Sequence, residues 1–199
     1  MDDRVAYMTT ELKKVCVFCG SGDETDRDFV DMSRELGRGL AQSGLTILYG
    51  GGDWGMMGHV ARAAQQTGGQ VISLNLSIFE NVDGRRLTVD EHIVLDTMFA
   101  RKQEMFERSD AFIALPGGIG TIDEVTEAIN LKKIYGHNKP IIILNPKGFW
   151  KPMLDQFLVM EQNGLMPRKT WELFEIVETV SEALVALKVP FGKSGNCCG

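Results

Sequence analysis

Cysteine, histidine and positive charge are all in short supply in this chain, and each shortage removes a class of function. Four cysteines in 199 residues, Cys16, Cys19, Cys197 and Cys198, are too few for a disulfide-stapled scaffold, and a chain of this length can bury a core without one. Cys16-Val17-Phe18-Cys19 has the spacing of a redox or zinc pair, but it lies in the apolar run Val15 to Phe18. In a strand, positions three apart point to opposite faces. A redox pair would instead open a helix, and no second spaced pair completes a zinc site. Buried, reduced thiols are therefore expected, and with them a cytoplasmic chain. His59, His92 and His137 show no ligand spacing, so no metal is expected. The 21 Lys and Arg against 27 Asp and Glu give a formal net charge of -6. That balance argues against a nucleic-acid partner, which needs clustered basic residues to neutralise phosphates. One mononucleotide needs only one local anion site. No apolar stretch approaches the roughly 20 residues that span a bilayer. Met1 to Lys14 has no apolar signal core, so no membrane partner is expected.

What the chain does have is alternation. Strands are predicted at Lys14 to Cys19, Leu45 to Tyr49, Gln70 to Leu74, Ala111 to Leu115 and Ile141 to Leu144. Helices are predicted at Asp26 to Gln42, Met56 to Gln66, Met98 to Arg108, Thr121 to Tyr135, Trp150 to Asn163 and Ser181 to Leu187. Asn75 to Asp90, with Asn81-Val82-Asp83-Gly84, reads as a loop. Short β-branched runs separated by helices predict an α/β, Rossmann-like doubly wound parallel sheet with helices on both faces. Its functional loops would lie at the strands' carboxyl ends. Residues 14–188 would form the single nucleotide-binding domain, 1–13 an extension, and the Gly-rich 189–199 a disordered tail whose Cys pair fits no prenylation pattern.

Two glycine loops lead from strand to helix. In Gly50-Gly51-Gly52-Asp53-Trp54-Gly55, the glycines at 50, 52 and 55 match the dinucleotide G-x-G-x-x-G. The following strand would have to end in a carboxylate for the ribose hydroxyls; here it ends in Asn75, with no acid before Glu80. The loop thus leaves three readings: a dinucleotide site, a tight turn, or a backbone cradle for phosphate or sugar. The second loop, Pro116-Gly117-Gly118-Ile119-Gly120-Thr121, offers backbone amides at a helix start, an anion site. Thr121 could cap the helix and also donate to a phosphate oxygen. No Lys follows the glycines, so one terminal phosphate is expected and not a metal-bound triphosphate. Glu124 has two readings. Thr121-x-x-Glu124 is a capping box, and equally a carboxylate placed beside a ligand. Arg101-Lys102 on a helix is, by composition, a solvated pair.

Taken in order, Phe18 to Gly22 (FCGSG), Tyr49 to Gly58 (YGGGDWGMMG), Met98 to Lys102 (MFARK) and Pro116 to Glu124 (PGGIGTIDE) resemble the LONELY GUY family. These are cytokinin riboside 5′-monophosphate phosphoribohydrolases, once mislabelled lysine decarboxylases. The resemblance covers about residues 14–188 and rests on P-G-G-x-G-T-x-x-E combined with an upstream M-x-x-R-K. It implies a hydrolase in cytokinin biosynthesis that cleaves the N-glycosidic bond of AMP or an N6-modified AMP, without a cofactor. It further implies Arg101 and Glu124 as the catalytic pair, with substrate contacts from Ser21, Gly51, Gly52, Glu91, Met98, Lys102, Pro116, Gly117, Gly118, Ile119, Gly120, Thr121 and Asn130. A homodimer is implied too, the partner subunit bordering the site. Asp53-Trp54, Thr97 and Phe99 depart from the family pattern and bear on which base fits, through Trp54 and Phe99. Three rivals stand beside this reading. The same fold and loops resemble molybdenum-cofactor carriers, which hold a phosphorylated ligand without cleaving it. A dinucleotide oxidoreductase lacks its carboxylate after Leu74, and a decarboxylase lacks a marked Schiff-base Lys.

Overall fold

Runs such as VCVF, TILY, AFIA and IIIL have no polar alternation, so a strand built from them must be covered on both faces. The computed structural model describes residues 12–80 and 87–188, and within them the strands form one seven-stranded, all-parallel sheet in the order β4-β3-β2-β1-β5-β6-β7. In chain order these are β1 (Lys14–Phe18), α1 (Arg27–Gln42), β2 (Thr46–Tyr49), α2 (Gly55–Gln66), β3 (Val71–Leu76), β4 (Glu91–Leu95), α3 (Met98–Arg108), β5 (Ala111–Ala114), α4 (Ile119–Tyr135), β6 (Ile141–Leu144), α5 (Lys151–Gln162), β7 (Glu175–Val177) and α6 (Val180–Lys188). The doubly wound expectation is met. One core layer packs Leu36 and Leu40 of α1, Met56 and Val60 of α2, and Ala183 of α6 against the sheet. The other packs Met105 of α3 and Val125, Ala128 and Ile129 of α4, with α5 residues Met153, Leu154 and Phe157 beside it. Cys16 and Cys19 fall in opposite layers, both as free thiols, as the strand geometry requires.

Two strands went unpredicted, β4 and β7. Both are edge strands without a buried residue, and their apolar runs, Ile93 to Leu95 and Ile176-Val177, are shorter than those of the inner strands. β3 also runs on to Leu76, two residues past its predicted end, and this brings Asn75 into the sheet in register with Val94. The readings for residues 1–11, for Asn81-Val82-Asp83-Gly84 and for the tail with Cys197 and Cys198 lie outside the described residues. Among the described residues, no helix is long and apolar enough to cross a membrane.

The sheet order reverses at β1, which pairs with β2 on one side and β5 on the other. The loops leaving β1 and β5 therefore diverge and open a crevice at the carboxyl edge, where such folds bind ligands. The layer beneath β2 depends on close contact of α1 with α2. A Cβ placed on Gly37 would sit 2.3 Å from the Val60 carbonyl oxygen. Gly37→Val is expected to push these helices apart and lower stability by about 1–3 kcal/mol, read as a fall in the urea midpoint.

Candidate active site

The crevice holds a cleft of about 530 Å³, lined by Ser21 after β1, by Gly50, Gly52, Trp54 and Met57 of the first glycine loop and α2, by Asn75 and Phe79, and by Arg101, Gly118, Ile119, Gly120, Thr121 and Glu124. At its floor Gly20 ties the β1 and β5 loops together, donating its N–H to the Pro116 carbonyl at 3.0 Å.

The two glycine loops have different fates. Helix α4 starts after Gly118, which makes no side-chain cap bond, and its first internal bond runs from Ile122 N–H to Gly118 O at 3.1 Å. The amides of Ile119, Gly120 and Thr121 therefore have no acceptor within the helix and border the cleft, where an anion would be held by those N–H groups and by the helix dipole. Thr121 does not cap this helix. It is the third helical residue, buried, and its hydroxyl lies where a Cβ on Gly117 would clash. The capping-box reading of Glu124 falls with it. The helix begins two residues before the predicted Thr121 because Gly118, not Thr121, adopts the extended cap conformation.

At the start of α2 the protein supplies its own acceptors. Gly55 N–H donates to the Asp23 carboxylate at 3.2 Å, and Met56 N–H to the Gly20 carbonyl at 3.1 Å. The first two amides of α2 are thus already held by groups of the protein. The glycines of the first loop answer to close neighbours. A Cβ on Gly50 would lie 2.2 Å from Arg101 Nη2, and one on Gly51, whose φ is +87°, would lie 2.8 Å from Asn75 Cβ.

Arg101 lies in the first turn of α3, which Thr97 caps by accepting from Ala100 N–H at 3.1 Å. Its Nε donates to the Leu74 carbonyl at 3.0 Å, and its Nη2 to the Gly50 carbonyl at 3.3 Å. Nη1 lies 3.6 Å from Met98 Sδ. Nη2 is also 3.7 Å from Glu124 Oε1, and both side chains are about nine-tenths buried. This is not the solvated pair that composition suggests. Burial pushes the Glu124 carboxyl up to about 7, with Arg101 opposing the rise. Such a cation and a half-ionised carboxylate can stabilise opposite charges as they form in a reacting molecule.

Of the other residues implied by resemblance, Ser21, Gly52, Gly118, Ile119, Gly120 and Thr121 line the cleft. Gly51 braces Asn75, Met98 touches Arg101, and Pro116 and Gly117 form the floor. Lys102 is held along the α3–α4 seam by Asp123 at 3.0 Å and Glu127 at 2.5 Å. Glu91 and Asn130 are not brought to the cleft. Glu91 stands at the amino end of β4, opposite the carboxyl edge, paired with Arg108 at 3.0 Å. Asn130 is exposed on α4, six residues past Glu124 and so turned about 240° away from it. Trp54 lines the cleft, but Phe99, expected beside it, lies on the outer face of α3 in a separate groove. Sequence reasoning missed Asn75 and Phe79. The signal available was the acceptor position at the end of the strand after the glycine loop. Among the described residues, no group of His, Cys, Asp or Glu is arranged to hold a metal.

Fold and site together define a doubly wound α/β protein that presents a helix start with unfilled amides beside a buried Arg–Glu pair. A family model described as "Possible lysine decarboxylase" matches residues 57–187. Rice "Probable cytokinin riboside 5′-monophosphate phosphoribohydrolase LOGL9" is 38% identical over 165 residues, spanning 83% of this chain and 73% of the relative. Arabidopsis cytokinin riboside 5′-monophosphate phosphoribohydrolase LOG3 is 33% identical over 182 residues, 90% of this chain and 83% of the relative. The chain belongs to this LONELY GUY family. The molybdenum cofactor binding protein of Rippkaea orientalis superposes with a TM-score of 0.68 at 24% identity, over 90% of this chain and 98% of that one, which establishes a shared fold.

Because folding raises the Glu124 pKa, the folded chain binds that proton more tightly than the unfolded one. Glu124's contribution to stability is then fully present below about pH 4.5, is lost as pH rises through about 7, and is flat above. Glu124→Gln, which cannot ionise, is expected to match the wild type at pH 4 and to be more stable at pH 8 by up to roughly 3 kcal/mol, from about 1.4 kcal/mol per pKa unit. Denaturant titrations at the two pH values measure the difference.

Proposed function

We propose that this chain hydrolyses the N-glycosidic bond of a nucleoside 5′-monophosphate, AMP or an N6-modified AMP such as cytokinin riboside monophosphate, to free base and ribose 5-phosphate. The observation that carries the reading is the buried Arg101–Glu124 pair, 3.7 Å apart, beside a helix start whose amides are unfilled. The 5′-phosphate sits on the amides of Ile119, Gly120 and Thr121, and this remote grip positions C1′ against Glu124. As the C1′–N bond breaks, its electron pair leaves with the base and C1′ becomes oxocarbenium-like. Ionised Glu124 stabilises that cation and accepts a proton from the water that attacks C1′. Arg101 stays protonated and steadies the negative charge developing on the base; the departing base takes one proton from solvent, and Glu124 returns to solvent the one it accepted from the attacking water. Met57, Trp54 and Phe79 offer an apolar wall for the base.

The purified protein is expected to convert AMP to adenine and ribose 5-phosphate and to act poorly on adenosine. Glu124→Ala and Arg101→Ala should each lower kcat on the order of 10²–10⁴-fold with circular dichroism unchanged. The kcat/KM profile should rise with pH through about 7 as Glu124 ionises. Wild-type turnover in Glu124→Gln would remove the catalytic assignment, and AMP binding without cleavage would favour the carrier reading.

The same reading makes the enzyme a cytoplasmic homodimer. The free thiols of Cys16 and Cys19 suit a reducing compartment. Phe99, in the first turn of α3, and Tyr135, at the end of α4 away from the cleft, are 75% and 74% exposed and line a groove together with Phe106 and Leu131. A second copy covering this face would border the site through Met98, which touches Arg101. Sedimentation velocity should give twice the 22.1 kDa chain mass. Phe99→Glu should shift it to one chain mass and lower kcat/KM.

A further inference from the structure

One polar group in the cleft wall has no part in the scheme above. Asn75 is 7% exposed near the carboxyl end of β3, and its Nδ2 donates to Glu80 Oε1 at 2.9 Å. A carboxylate can only accept, so the amide's orientation is decided: nitrogen toward Glu80, carbonyl oxygen the other way. Glu80 is held in turn. His92 Nε2 lies 2.9 Å from the same Oε1, and His92 Nδ1 lies 2.5 Å from Ser73 Oγ. Ser73 and His92 are register partners on β3 and β4. Facing a carboxylate, His92 donates through Nε2, and its Nδ1 shares a hydrogen bond with the Ser73 hydroxyl. The chain superficially resembles a nucleophilic triad, yet Ser73 is 1% exposed inside the sheet and no substrate can reach it. Its product is instead a single acceptor with no protein donor among the described residues, the Oδ1 of a residue that lines the cleft.

The location of that acceptor narrows what it meets. Asn75 follows Leu74, whose carbonyl takes Arg101 Nε, and it packs on Gly51 while Arg101 packs on Gly50. Asn75 and Arg101 thus meet adjacent glycines of one loop in the cleft wall. In dinucleotide-binding sheets the end of the strand after the glycine loop carries a carboxylate that takes the ribose hydroxyls. A carboxylate at this position would add a further negative charge to the cleft that holds Glu124, already pushed up by burial, whereas a neutral amide accepts without that cost. Resting on the mononucleotide reading above, we propose that Asn75 Oδ1 accepts a hydrogen bond from a ribose hydroxyl of the bound nucleotide, and that Glu80 and His92 are positioning residues that hold its amide in that sense.

The test compares AMP with 2′-deoxy-AMP and 3′-deoxy-AMP on the wild type, Asn75→Ala and Glu80→Ala, by kcat/KM and by equilibrium binding, with thermal midpoints to check folding. Asn75→Ala should lose about tenfold on AMP, the worth of one hydrogen bond, and little on the deoxynucleotide that lacks the partner hydroxyl. Glu80→Ala should repeat the pattern and carries the test if Asn75→Ala does not fold. An equal loss on all three nucleotides, or none on AMP, overturns the proposal and leaves the hydrolase reading intact. Binding that shows the pattern without any cleavage keeps the proposal and overturns the hydrolase reading.

Discussion

A single guanidinium organises the carboxyl edge of this sheet. Arg101 reaches from the first turn of α3 to the carbonyls of Leu74 and Gly50, and so ties the ends of β3 and β2 to a helix that follows neither directly. Most of the surrounding sequence answers to this reach. Thr97 starts α3 where the first turn can face the cleft, and Gly50 has no side chain because the guanidinium fills that space. A buried cation needs partners for its donors; two backbone carbonyls and the Glu124 carboxylate supply them.

Glu124 is the counterpart, and its burial is destabilising by design of the site. A carboxylate in apolar surroundings is strained toward protonation, and Arg101 opposes that only in part. The strain leaves a base poised near neutral pH, the condition for exchanging protons with water. The helix start next to it completes an electrostatic gradient, with amide dipoles at one end of the cleft and the buried ion pair at its centre. The start of α2 shows the contrast: there Asp23 already lies on the amide of Gly55.

How much of this could be read beforehand depended on whether the signal was local. Inner strands and helices were legible, because buried strands are apolar throughout and amphipathic helices repeat near 3.6 residues. β4 and β7 were not, since an edge strand such as EHIVL is defined by its neighbour and not by its own pattern. Motif order led to Arg101, Glu124 and the Gly118 to Thr121 loop, all of which the cleft brings together. Glu91 and Asn130 were placed by analogy of spacing, and the direction of β4 and the turn of α4 carry them elsewhere. The role of Gly50 and Gly51 was illegible for a related reason: the atoms that exclude their side chains lie about 50 residues away for Arg101 and about 24 for Asn75.

By itself the sequence determined the alternation of strand and helix, hence a parallel sheet with its loops gathered at one edge, and it determined the family through motifs whose order and spacing are covalent facts. Only the tertiary structure decided which helix start has its amides filled by the protein itself, whether Glu124 caps a helix or faces a cleft, and which way the Asn75 amide points. Those outcomes turn on which groups from distant segments occupy one another's hydrogen-bonding directions, and chain order does not encode that until the sheet has formed.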